Sequence, residues 1–416
     1  MMKNISQQLP QTDLDLGFNG VTQRIRALIP ILKLVLFFFF ANTASGQNIL
    51  TPQDAVAAAL QNHPSTKAAA YAVKAKKYGE KAAFNLPNPE VNAESPTGEF
   101  YVVGVLQSFE FPTVYAQQKK VAKSETALAV AGQRVSENDL RYNVRTLYLE
   151  AQVAEYQGRQ WKIRDSLYEA IGIAAARQFD AGEIDFLQKT LAENGAGKVH
   201  QERLAAEQKL AVLRQQLAAF TGLNNWGTLL PLGVDTVGLA ALSGISENPS
   251  IAYDQEAAQL AERQISLAKS RALPNFSLGY LNQGPRSTPI DYRFRASVGV
   301  PLWAGQYRAG TNAAKAESQA AAARVEVQSQ AVAFEQARAR SDAATALTNV
   351  RYHEREALPR SRAVITAATR MREAGQIDYV TFLRTLDESY SIQQEYVDQL
   401  LALNVSQLRL RYLSGN

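Results

Sequence analysis

The chain repeats itself at a fixed separation of 193 residues, with residues 108–222 lying over 301–415 without a gap. Phe179-Asp180-Ala181-Gly182-Glu183-Ile184-Asp185-Phe186 matches Arg372-Glu373-Ala374-Gly375-Gln376-Ile377-Asp378-Tyr379. Each copy ends on a glycine, Gly222 in Phe220-Thr221-Gly222 and Gly415 in Leu413-Ser414-Gly415. Upstream, Asn85-Leu86-Pro87-Asn88-Pro89 and Ala272-Leu273-Pro274-Asn275-Phe276 each open a strand-like stretch at an offset of 187. The six-residue difference falls in the hairpin loops, where insertions are tolerated. A unit of about 170 residues is too long for a solenoid repeat, so each copy is expected to be half of one fold.

The first 46 residues stand outside the duplication. Arg24, Arg26 and Lys33 precede the apolar run Leu34 to Ala41, and small residues follow at Ala44, Ser45 and Gly46. That order is a secretory signal, and the apolar run is shorter than the roughly 20 residues a membrane-spanning helix requires. Without residues 1–46 the chain keeps 40 basic against 37 acidic residues, a balance that implies no nucleic-acid surface and no polybasic membrane patch. There is no cysteine, which excludes disulfides, thiolate chemistry and a lipid-modified N-terminal Cys.

Within each copy the pattern runs helix, two strands, two long helices. The first copy, 47–222, is expected to hold a helix from Pro52 to Phe84, strands near Pro89–Ser95 and Phe100–Phe111, and helices from about Tyr115 to Ala181 and Ile184 to Phe220. The second, 249–416, is expected to hold a helix from Pro249 to Ala272, strands near Phe276–Asn282 and Tyr292–Leu302, and helices from about Tyr307 to Ala374 and Ile377 to Leu413. Residues 223–248, Gly-rich and carrying Pro231, form the link. A helix from Tyr115 to Ala181 reaches on the order of 100 Å, shortened in part by breaks near Gly132 or Gly158. Rods of this length are coiled coils or repeats. Leu383, Leu386, Tyr390, Val397, Leu401 and Leu408 step as a heptad seam, Leu210, Leu213, Leu217 and Phe220 form a similar stripe, and Ala-rich 313–346 permits close helix packing.

The strands decide what the rods serve. Phe276, Leu278 and Tyr280 alternate with Ser277 and Gly279; Tyr292, Phe294, Ala296, Val298 and Val300 alternate with Arg293, Arg295, Ser297 and Gly299. Val91 and Ala93 against Glu90, Asn92 and Glu94 repeat the alternation, and Tyr101, Val103 and Val105 continue it more weakly because Val102 and Leu106 blunt the contrast. A soluble sheet packed on a helix reads this way, and so does a transmembrane barrel with an aromatic outer face; Phe276, Leu278, Tyr280, Phe294 and Val298 are then lipid-facing. Four strands cannot close a barrel and an open edge cannot stand in lipid, so in a membrane several protomers must share one barrel.

The doubled motifs, the terminal Phe-Thr-Gly and Leu-Ser-Gly, and Val300-Pro301-Leu302-Trp303-Ala304-Gly305-Gln306 at a strand-to-helix exit resemble the TolC superfamily of outer-membrane efflux ducts over residues 48–416. Asn88-Pro89-Glu90-Val91 and Gln107-Ser108-Phe109-Glu110-Phe111 look most like its CzcC and CusC heavy-metal branch. The resemblance implies a mainly α fold with a membrane β-barrel. It also implies a homotrimer with four strands per chain in a shared twelve-stranded barrel, above a long coiled-coil helical tunnel in the periplasm. It further implies no enzymatic activity and no cofactor. The implied partners are a periplasmic adaptor (membrane-fusion) protein, an inner-membrane RND-type pump and outer-membrane lipid, with no nucleic acid. Passive export of heavy-metal cations is the expected role; a drug or protein duct of the same fold and a soluble periplasmic coiled-coil scaffold are the alternatives. The acidic residues that ring the entrance in TolC-type exporters fall here on Thr381 and Arg384, so an aspartate ring does not carry over.

No catalytic or metal-binding constellation is present in the pattern. His63, His200 and His353 lack helical-spacing partners and are expected at the surface or in caps, and Met371 is the one methionine beyond the leader. The candidate entrance residues are Asp185, Gln188, Asp378, Thr381, Arg384, Asp387 and Glu388, since in a trimer each recurs around a narrowing pore where like charges focus cations. As lone positions the carboxylates read equally as solvated helix residues. Gly182 and Gly375 are expected to end one helix and start the next.

Overall fold

In the computed structural model the described residues are 49–94, 102–223, 227–233, 248–282, 289 and 293–415; the leader expected at 1–46 lies outside them. Leu50–Asn225 and Leu229–Asn416 form one compact unit that contains both repeats. Helix α1 (Pro52–Asn62) starts on a capping box between Thr51 and Asp54. The expected single helix is divided at His63, because Pro64 offers no N–H and drives the residue before it out of the helical region. His63 is extended, and its Nδ1 accepts the Ser65 N–H to cap α2 (Pro64–Ala82).

Helix α3 (Pro112–Asp180) runs 69 residues, about 100 Å, straight through Gly132 and Gly158, where breaks were expected. A glycine costs a helix only about 1 kcal/mol, and α3 is packed along its length by α1, α2, α4 (Phe186–Thr221) and α5 (Pro249–Ser270). The interruption occurs in the second copy instead. Helix α6 (Ala304–Tyr352) passes through a π turn, His353–Ala357, into α7 (Leu358–Glu373). Pro359 has no N–H to donate and its ring would crowd the carbonyl four residues earlier; the wider turn relieves this, with Leu358 N–H reaching His353 O. His353 is therefore buried inside a helix rather than surface-lying or capping, and its Nδ1 bonds Asn349 O at 2.8 Å.

Helix α8 (Tyr379–Leu413) buries a wider face than the expected seam. Leu386 and Val397 of that seam are buried, while Leu383, Tyr390, Leu401 and Leu408 are its partly buried flank. Phe382, Ser389, Leu400, Leu403, Asn404, Gln407 and Leu410 extend the covered face, since α8 touches α6 and α7 on one side and α3 on the other. Alanines 314, 321, 339, 343 and 346 are the buried positions that let α6 approach α5 and α8.

Both repeats are closed by the same device: Asn62 Nδ2 donates to Thr221 O in the first, and Asn248 Nδ2 to Leu413 O in the second, at 2.8 and 2.9 Å. Between the repeats, Leu229 bridges Leu50 in parallel. The buried Tyr148 hydroxyl donates to Leu50 O and accepts the Leu230 N–H, fastening the link to α3.

Strands β1 (Glu90–Glu94), β2 (Val102–Phe109), β3 (Asn275–Asn282) and β4 (Phe294–Gly299) form one antiparallel sheet in chain order. The register pairs Val91 with Val105, Val105 with Tyr280, Tyr280 with Phe294, and Phe276 with Val298. Directly opposed residues share a face, so the apolar positions of all four strands lie on one side. That side is open: Val91 is 71% exposed, Leu278 57% and Phe294 68%. The strands pack chiefly on one another, so the sheet is not laid on its own helices as a soluble scaffold would require. The other side carries Asn92, Arg295 and the Ser277–Ser297 hydroxyl bond. Leu106 and Leu281, which blunt the contrast, lie there opposite Gly279 and Gly104; a side chain at either glycine would collide with the facing leucine.

With the apolar side in a bilayer, Val298→Lys should cost roughly 2–4 kcal/mol near the midplane, while Ser297→Lys on the neighbouring, opposite-facing position should be mild. Assembly yield of the two variants in membranes checks this, and equal losses would reverse the assignment of faces.

Candidate functional site

The two helix turns are built alike. Gly182 and Gly375 have φ of 74° and 70°, in the left-handed region that glycine enters without a Cβ penalty. Glu183 N–H bonds Gln178 O and Gly182 N–H bonds Phe179 O; Gln376 to Met371 and Gly375 to Arg372 repeat the pattern, so both helices end in Schellman motifs. Three residues on, Asp185 and Asp378 are the N-caps of α4 and α8. Asp185 Oδ1 accepts the Gln188 N–H and Asp378 Oδ1 the Thr381 N–H, each at 2.7 Å. The carboxylates proposed from sequence as pore charges thus serve the local chain, and the doubled Gly-x-Ile-Asp is first a stop-and-restart signal for helix.

Around the turns the copies diverge in a way that the 193-residue alignment contains. Phe179 and Phe186 of the first copy meet edge to face at 6.2 Å. Their counterparts are Arg372 and Tyr379, and the guanidinium lies 3.7 Å from the tyrosine ring centre. Arg372 Nη2 also donates to Gln178 Oε1 at 2.7 Å, tying the end of α7 to the end of α3. Beneath, Tyr168, Ile171, Ala175, Ala192, Val199, Ala368, Tyr379, Phe382 and Leu386 make one core from α3, α4, α7 and α8, with Ile184 and Ile377 of the two turns packed on it.

The remaining candidates lie along α8. Arg384, Asp387 and Glu388 are exposed, and Thr381 contributes through its backbone. Asp387 accepts the Tyr168 hydroxyl at 2.7 Å, a cross-tie from α8 to α3; burial first, and this bond second, push the Tyr168 phenol well above its ordinary range. Next to it Arg164, only 6% exposed, lies between the rings of Trp161 and Tyr390 at 4.8 and 4.2 Å. Its Nη2 reaches Tyr390 O and Gln393 Oε1 at 3.4 and 3.5 Å, and burial lowers its pKa. A groove of about 490 Å³ between α4 and α8 is floored by Arg164, Tyr168, Asp387 and Tyr390. Sequence reasoning identified Asp387 and missed Tyr168, Arg164, Gln178 and Arg372. Arg372 alone had a visible signal, being the charged member of an otherwise aromatic matched pair. His200 stands at the surface beside Asp165, 3.3 Å away. Among the described residues no three His, Cys, Asp or Glu side chains gather as a metal site, and no helix is long and apolar enough to cross a membrane.

Hydrogen bonds from Thr381, its N–H foremost, hold the Asp378 carboxyl below the ordinary value of 3.8. A depressed carboxylate stabilises the folded chain above the unfolded pKa, and that contribution disappears as pH falls through the folded value. The protection of the Thr381 amide, its exchange relative to an unstructured peptide at the same pH, should therefore fall below about pH 4, and Asp378→Asn, which keeps an acceptor without the charge, should flatten that dependence. An unchanged acid profile in the variant would mean the cap does not titrate.

No protein-family model matches the chain, and neither does any curated protein. Solved structures do. CusC, crystallised in a study of folding and transmembrane channel formation, superposes with a TM-score of 0.72 at 18% identity, covering 88% of this chain and 92% of that one. The CmeC outer-membrane channel of Campylobacter jejuni gives 0.73 at 14% identity, over 88% and 85%. The outer-membrane protein VceC of Vibrio cholerae gives 0.72 at 16%, over 88% and 96%. The order of helices and strands expected from the sequence is observed, in a fold shared with these outer-membrane channels.

Proposed function

We propose that this chain, folded as the TolC-type channels are, is one protomer of a homotrimeric outer-membrane exit duct. The observation that carries the proposal is the sheet: four strands that, among the described residues, have two open edges, an uncovered apolar face and a polar opposite face, continued by long helices of which α3 reaches about 100 Å. In lipid every backbone group must be paired, so β4 of one copy has to meet β1 of the next. Three copies supply twelve strands, and their helices continue the wall into the periplasm. With no enzymatic role of its own, such a duct draws its energy from an inner-membrane RND-type pump through a periplasmic adaptor. The sequence likeness to the CzcC and CusC branch supports heavy-metal cations as cargo. With no cysteine and one methionine beyond the leader, the ions would pass hydrated rather than hand to hand between soft ligands.

The absence of cysteine makes the shared barrel directly testable. Cysteines placed at Asn92 of β1 and Ser297 of β4 in one chain should be joined by a short bismaleimide into covalent trimers, whereas each single variant should give none. Monomers alone from a membrane-inserted double variant would end the shared-barrel proposal, and extraction of the chain without detergent would favour a soluble scaffold.

The entrance lies at Gly182–Gln188 and Gly375–Glu388, where six equivalent turns gather at one end of the trimer. Two ties hold those turns together within a protomer, Tyr168 to Asp387 and Arg372 to Gln178. A hydrogen bond to a charged group contributes about 1.5–3 kcal/mol, small enough for adaptor binding to shift the population of open channels. Exposed Arg384 is left to face the neighbouring protomer. Tyr168→Phe and Asp387→Ala should each raise single-channel conductance in planar bilayers, and by similar amounts, since both delete one bond; Arg384→Ala should raise it independently. Wild-type conductance from all three would show that these residues do not hold the entrance.

A further inference from the structure

The helix ends that adjoin the sheet are basic. Residues 263–274 and 300–316 hold Arg263, Lys269, Arg271, Arg308 and Lys315 and no acid, and residues 66–82 and 110–124 of the first copy hold eight lysines against Glu80 and Glu110. The whole chain carries a net charge of only +5, so this concentration is a local feature, one that the overall balance, read as leaving no polybasic membrane patch, does not reveal. In the second copy the cations line a cavity. A pocket of about 460 Å³ opens where α5 leads into β3 and β4 leads into α6, bounded by Lys269, Arg308 and Lys315 with Tyr307, Thr311 and Asn312. None of its three cations makes an ion pair within the described residues. Directly above it, Leu302 and Trp303 are exposed, Trp303 to 77%, at the first residues beyond the strand.

We propose that this pocket binds the phosphate headgroup of an anionic phospholipid in the inner leaflet of the outer membrane, an inference that rests on the sheet spanning that membrane. An exposed tryptophan between an apolar band and a polar region marks the headgroup level. Arg308 lies about 6 Å below the start of α6, within reach of that level for a long side chain that extends toward it, and Lys315, about 16 Å below, bounds the far end of the pocket. The three cations, with the Tyr307 and Thr311 hydroxyls and the Asn312 amide as further donors, match a phosphodiester, and the apolar Leu302 and Trp303 match its acyl chains. The pocket would thus fix the height of the barrel in the bilayer through a bound lipid, which the aromatic residue alone does less specifically.

The test titrates the detergent-solubilised full chain with phosphatidylglycerol and, separately, with phosphatidylethanolamine, reading bound lipid by native mass spectrometry. Phosphatidylglycerol should bind at least about tenfold more tightly. The combined Lys269→Gln, Arg308→Gln and Lys315→Gln variant should lose that preference, at roughly fivefold per cation. No preference in the wild type, or an undiminished one in the variant, overturns the proposal. Complete displacement of phosphatidylglycerol by millimolar inorganic phosphate would make this a free-anion site and overturn the lipid assignment. Reconstitution into phosphatidylethanolamine vesicles separates the underlying premise: both proteins should insert and resist carbonate extraction. Insertion without lipid preference refutes the pocket alone, whereas failure to insert refutes the membrane-spanning sheet and the pocket with it.

Discussion

A sheet whose two outer strands have no partner among the described residues, and whose apolar face none of those residues covers, determines what the rest of this protein must do. In water such a sheet could be hidden by laying a helix across it. Here the helices run on from the strands rather than over them, so the face and edges need another environment. A bilayer satisfies the face and further copies of the chain satisfy the edges, because unpaired backbone groups cost several kcal/mol each in hydrocarbon. The proposed trimer follows from that requirement.

The long helices answer a related demand. In the proposed duct a wall one helix thick would have no second layer to bury its apolar stripes, so each helix would have to be covered from its sides. That is why α8 buries Phe382, Ser389, Leu400 and Gln407 beside the heptad seam. It is also why α6 is lined with alanines where it meets α5 and α8. Some polar groups enter this core with partners, as when Ser361 Oγ donates to Ser389 O at 2.8 Å, while others, such as Gln407 Oε1 and Gln336 Oε1, are buried without one among the described residues. The duplication lets both halves use one plan, down to an Asn amide closing each repeat on a carbonyl beside its final glycine. Where the plan changes, at Phe179 and Phe186 against Arg372 and Tyr379, an apolar contact has become a cationic one able to bond across to Gln178.

Much of this was legible in the sequence. Helix ends are written locally: Gly182 and Gly375 stop a helix because of their positive φ, and Asp185 and Asp378 restart one through a side chain that reaches three residues ahead. Strand alternation is equally local, which is why Phe276, Leu278, Tyr280, Phe294 and Val298 could be placed on one face. Other features escaped because they balance local preference against packing. Gly132 and Gly158 suggested breaks that neighbouring helices override, while Pro359 went unremarked although its missing N–H leaves a π turn and a buried His353.

What the sequence by itself determined is the periodic part: the duplication, the order of helices and strands, their caps and the apolar side of each strand, all encoded within a few residues of where they act. Only the tertiary structure decided which distant residues meet. The register that sets Val105 against Tyr280, the bond from Tyr168 to Asp387, the burial of Arg164 between two rings, and the convergence of Lys269, Arg308 and Lys315 on one pocket span tens to hundreds of residues. Such contacts depend on how helices about 100 Å long align side by side, and that alignment is the sum of many small packing contacts that no short stretch of sequence contains.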